Sequence, residues 1–131
     1  MLPALSLVIA CGSKGESDHD DGDKKEAKRA SSAQASHEVI ERGGEIYKAN
    51  CVACHGDGGK GDGPAAGVLK PSPRDHTDKT YMGTLTDDDL KKVIVMGGAI
   101  KGRPLMPSHP QLRGKDLDAL VAYVRSLSEG N

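Results

Sequence analysis

Phenylalanine and tryptophan are absent from the 131-residue sequence, and Tyr47, Tyr81 and Tyr123 are its only aromatic rings of that kind. A chain of this length has room for one domain and a little more. A core without large rings is thin, so something other than side chains is expected to fill its middle. An excess of charge of one sign is missing as well: 18 Lys and Arg face 19 Asp and Glu, for a net charge of −1. Phosphate backbones are bound by basic faces, so this balance argues against a nucleic-acid partner. Cysteine is scarce, with only Cys11, Cys51 and Cys54. An odd number, two of them three positions apart, is not the scattered even set of a disulfide framework. No apolar run is long enough to span a bilayer, which takes about 20 residues.

What is present falls into three regions. Residues 1–11 form a leader, a ten-residue stretch that is apolar but for Ser6 and is followed at once by Cys11, about the size of a signal-peptide core ending in small residues. No Lys or Arg precedes it, which leaves the true start open to lie upstream. Val8-Ile9-Ala10-Cys11 resembles the lipobox of bacterial lipoproteins, which implies lipidation at Cys11; the alternative is an apolar leader with an incidental cysteine. Residues 12–37 mix both charges with almost no large apolar side chain. Such a stretch buries too little surface to fold and is expected to be a tether, its Asp18–Asp21 cluster being solvated charge rather than a metal site.

From residue 38 to 131 the pattern turns helical. Val39, Ile40, Gly43, Ile46 and Tyr47 share one face of a first helix, and Leu90, Val93 and Ile94 mark a second that Thr86 caps and Asp87, Asp88 and Asp89 favour electrostatically. Leu117, Leu120, Val121, Val124 and Leu127 stripe a last one. Gly/Pro-rich loops over 56–76 and 97–114 join them, and no segment alternates like a strand. An all-α fold of three to four short helices with long irregular loops is predicted.

The chemistry is concentrated in Cys51-Val-Ala-Cys54-His55. This reads as a c-type haem attachment site. Two thiols three positions apart on a helical turn point the same way, so each can form a thioether with one vinyl group of a single porphyrin, and His55 projects toward the iron. A structural zinc site wants four ligands, and no second pair stands at finger spacing. A thioredoxin-like site wants a βαβ pattern, which the helical reading does not supply. One covalent haem c would also provide the core that the missing Phe and Trp do not, and the chain without it is expected to fold poorly.

With these residues in view, residues 38–131 resemble the single-haem class I cytochromes c. Gly43 and Tyr47 match the Gly-x-x-x-aromatic pattern of that family's first helix, and "LVAYVRSL" resembles its last. The resemblance implies that Pro64, in the Gly61-Asp62-Gly63-Pro64 loop, flanks the proximal imidazole while a nearby carbonyl holds its Nδ1–H. It implies that Arg74 is a candidate partner for a haem propionate and that Tyr81, in "YMGTLTDDDL", belongs to the haem surroundings. His76, His109 and Arg113 stand where the family more often has an aromatic residue, a Trp and a Ser or Thr cap.

Five side chains are candidates for the sixth iron ligand: Met82, Met96, Met106, His76 and His109. Met96, at a helix end, is expected in the core, and Met82 against the haem edge. Met106 lies between Pro104 and Pro107, which restrict the backbone around it, and it occupies the family's ligand position. His55 and Met106 are therefore the expected metal ligands. Two protein ligands close the iron to substrates, which implies one-electron transfer rather than catalysis. The expected partners are redox proteins, met from a lipid anchor at the periplasmic side of a bacterial membrane. A haem enzyme, or a gas or redox sensor with an open sixth position, is the competing reading.

Overall fold

Helices α1 (residues 36–50) and α5 (Gly114–Glu129) cross where a side chain is missing. A Cβ on Gly43 would stand 2.0 Å from the carbonyl oxygen of Ala119 and 2.7 Å from the Cβ of Tyr123. Only hydrogen lets the two backbones approach so closely. The computed structural model describes residues 36–130, all within a single compact unit. The leader, Cys11 and the tether up to residue 35 lie outside these residues, while 36 and 37 are already helical.

Below the crossing, Ile46 and Tyr47 on α1 meet Leu117, Leu120, Val121 and Val124 on α5 in the main buried cluster. Two further helices close it. Helix α3 (Lys79–Gly83) starts at Asp78, whose carboxylate accepts from the Tyr81 backbone N–H at 3.0 Å. Helix α4 (Asp87–Met96) starts at a reciprocal capping box: the Asp89 N–H donates to Thr86 Oγ1 at 3.1 Å and the Thr86 N–H to Asp89 Oδ2 at 3.0 Å. Helix α5 starts at Arg113 without any side-chain cap, consistent with Arg standing where a Ser or Thr cap is common. Arg125 on α5 compensates by holding its neighbours. Its guanidinium donates to the backbone carbonyls of Met82 (2.7 Å) and Leu85 and to Asp87 Oδ1 (2.9 Å).

Among the described residues there is no strand, and the all-α expectation holds. Two side chains depart from their expected places. Met96 is 61% exposed, not core: it follows Ile94 by two positions, about 200° round the helix, which turns it from the buried face to the opposite one. Val39 is 44% exposed. It lies one turn ahead of the Gly43 crossing, outside the buried cluster.

Candidate cofactor site

The Cys51–His55 segment follows α1 directly. The Cys51 N–H donates to Tyr47 O at 2.8 Å, and the His55 N–H to Cys51 O at 2.9 Å. Residues Val52–His55 form the single turn α2. Its carbonyls would be left without partners at the helix end, and the glycine-rich loop supplies them. Backbone N–H groups of Gly61, Gly63 and Ala65 donate to His55, Cys54 and Ala53 at 2.8, 3.1 and 2.8 Å. Gly61 does this at φ +77°, with the Pro73 carbonyl oxygen 2.5 Å from where a Cβ would sit. That combination of left-handed backbone and close approach admits only glycine.

His55 is buried, and its Nδ1 lies 3.1 Å from the Arg74 carbonyl oxygen. With that carbonyl as acceptor, Nδ1 carries the proton and Nε2 keeps its lone pair for a metal. Burial holds the His55 pKa below the ordinary histidine value, opposed by the Arg74 hydrogen bond and reinforced by the Arg103 charge. The neutral, ligating form is thereby favoured. Burial, with the Cys54 charge second, pushes the Cys51 thiol up to about 11, so the unreacted side chain is a neutral thiol.

These groups line one cavity, part of which opens to solvent. Its floor is the apolar core, including Tyr47, Met82, Leu90, Ile94, Leu120 and Val124. Its charged lining is all basic: Lys70, Arg74, Lys101 and Arg103, with no Asp or Glu. An apolar floor, paired thiols, a neutral imidazole and a cationic rim fit a flat apolar group with acidic tails. Haem is such a group.

The structure sorts the candidates for the sixth position. Met96 does not line the cavity, whereas Met82, Met106, His76 and His109 do. Met82 is 1% exposed and belongs to the floor. The His76 ring is stacked on that of His55, with centroids 4.2 Å apart and planes 20° apart, which puts it on the same side of the cavity as His55. His109 lies in the Met106 loop, its N–H bonded to Ile94 O at 2.9 Å and its Nδ1 facing Gln111 Nε2 at 3.4 Å. Met106 is half-buried and its backbone is fixed at both ends: its N–H donates to Arg103 O at 3.1 Å, and its carbonyl accepts from the Gly98 N–H at 3.1 Å. Arg103 ties this loop to the 70s segment through the Ser72 carbonyl.

Arg74 and Tyr81 both line the cavity, with the guanidinium 4.3 Å above the Tyr81 ring. Pro64 is exposed and stands outside the lining; the imidazole face is covered by His76, and the carbonyl that holds Nδ1 is that of Arg74. Sequence reasoning did not foresee the His76 stack or the Arg103 strap. The signal for the first was the histidine itself, standing where an aromatic is usual. The strap left none, because its partner is a main-chain carbonyl 31 residues away.

Comparison with known proteins agrees with this chemistry. The family model described as cytochrome c matches residues 40–128. Lupanine 17-hydroxylase (cytochrome c) of a Pseudomonas species is 35% identical over 127 residues, which is 93% of this chain and 16% of that protein. The cbb3-type cytochrome c oxidase subunit FixP of Bradyrhizobium diazoefficiens is 33% identical over 90 residues, 68% of this chain and 28% of the subunit. Cytochrome c6 of Cyanidium caldarium is 28% identical over 92 residues, 69% of this chain and 72% of that protein. The chain thus spans only a small part of the larger relatives.

Proposed function

The chain belongs to the cytochrome c family, as a class I member whose cofactor is covalent haem c, and on that premise we propose that it is an electron-transfer protein. In this reading Cys51 and Cys54 would hold the macrocycle by two thioethers, His55 and Met106 would be the iron ligands, and Arg74, stacked over Tyr81, would pair with an acidic tail. The group supplies a one-electron iron centre when attached. The protein's own residues hold the His55 proton at Nδ1, keep water from the floor and present a thioether from a backbone fixed in advance.

The observation that carries the reading is that Met106 and the buried His55 line one cavity. Met106 does so from a loop whose backbone is already bonded on both sides. A thioether is a soft, weak ligand, so preorganisation matters more for it than for an imidazole. Methionine with histidine raises the potential of haem iron. In the oxidised holoprotein we expect a far-red sulfur-to-iron band that Met106→Ala abolishes, with a lowered potential and a sixth site open to cyanide. Met82→Ala should keep the band. A band that survives loss of Met106 and disappears with another methionine would refute this assignment.

A relative named as a hydroxylase, together with the small share of it that this chain covers, gives a second reading: a haem enzyme, or a sensor with an open sixth position. Fast binding of carbon monoxide to the reduced protein would favour it; an unreactive six-coordinate spectrum favours the carrier. The lipobox-like sequence before Cys11 further supports a lipid tether and a periplasmic position. The full-length protein should then carry acyl mass that Cys11→Ser removes. Tight membrane binding with an uncleaved leader in that variant would show that the leader itself is the anchor.

A further inference from the structure

His76 is a cavity residue that the ligand set leaves without a task. Its ring lies face to face with that of His55, 4.2 Å between centroids and 20° between planes. The edge of Tyr47 meets it at 6.2 Å and 68°. Its N–H donates to Gly59 O at 2.6 Å, and Asp75 Oδ1 accepts from the Thr77 N–H at 2.8 Å, so the backbone on both sides is fixed. Yet its Nδ1 is shut off from solvent with no hydrogen-bond partner. Burying an unpaired polar atom is unfavourable, and a ring of carbon alone would avoid that cost.

The geometry of His55 shows what a stacked ring can do. The hydrogen bond from Nδ1 to Arg74 O restrains rotation about Cβ–Cγ, but a hydrogen bond tolerates a wide range of angles, so the ring can still rock within that tolerance. A flat face packed against it removes the remaining freedom. Both restraints come from one short segment, since Arg74 and His76 are two residues apart. We propose that His76 is a positioning residue that, with the Arg74 carbonyl, clamps the plane of the proximal imidazole over the haem. This rests on His55 being the proximal ligand, and it assigns His76 no bond to iron.

In oxidised low-spin haem, the planes of the axial ligands govern how unpaired spin is shared among the pyrroles. The order and spread of the four ring-methyl proton resonances report that sharing. The test compares oxidised full-length holoprotein with His76→Phe and His76→Leu. Phenylalanine keeps the flat face; leucine fills the volume without one. The Phe variant should retain the wild-type methyl order, and the Leu variant should reorder or compress it, while both keep the far-red methionine band. A wild-type methyl order in the Leu variant overturns the proposal. So does an equal change in both variants, which would make the nitrogen rather than the plane responsible. His76→Met serves the same comparison should the Leu variant fail to mature. Covalent haem on the wild type after denaturation checks the cofactor assignment separately, so the two failures cannot be confused.

Discussion

One hydrogen atom at Gly43 decides how closely α1 and α5 approach. Alanine there has two opposed effects: it favours the helix by about 1 kcal/mol over glycine, and it drives a methyl group into the Ala119 carbonyl, 2.0 Å away. Backbone cannot step aside as a side chain tip can, and overpacking costs roughly 1–3 kcal/mol or more. Packing should therefore win, and Gly43→Ala should lower the denaturation midpoint of the holoprotein. Gly83, at the end of α3, is the control: a Cβ there meets nothing within 4 Å, so Gly83→Ala should be neutral or slightly stabilising. Equal midpoints for both variants would mean that the helix crossing does not limit stability. Gly43 was legible because its spacing from Tyr47 has a physical meaning. Pro64 shows the opposite case: a residue carried over by resemblance stands exposed outside the lining, and the ring beside His55 is one that the resemblance marked only as a departure.

The long helices announced themselves through periodic apolar positions, and Thr86 marked the start of α4. The capping box it forms with Asp89 was less visible, because such boxes usually carry Glu or Gln at that position. Helix α3 has five residues, too few for any periodicity to show. It owes its place to Asp78 at one end and to Arg125 at the other. That arginine reaches two carbonyls and a carboxylate across about forty residues. Contacts of this kind depend on the finished fold and leave no mark in local sequence. Met96 was misplaced for a simpler reason: counting apolar residues near a helix end ignores the 100° per residue that decides which way each one faces.

For the whole molecule, the scarcity of aromatics pointed correctly to a fold arranged around a space, since the buried residues Tyr47, Met82 and Leu120 both close the core and floor the cavity. The sequence also suggested near electrical neutrality, yet the lining of that space carries four cations and no anion. On the proposed reading, two of the four would face the two carboxylates of a haem. The remainder would make the cavity mouth a positive pole, where on the proposed reading the electron would leave. An approaching negative surface would exert a torque on such a body before contact, turning the mouth toward it and raising the fraction of productive collisions. The reach of that torque is the Debye length, about 30 Å at 0.01 M salt and about 8 Å at 0.15 M. Electron-transfer rates with an acidic partner should therefore fall as salt rises, and more shallowly for Lys101→Glu, in which the pole is weakened. Rates indifferent to salt would mean that the molecule meets its partner in random orientation and finds the exit by search alone.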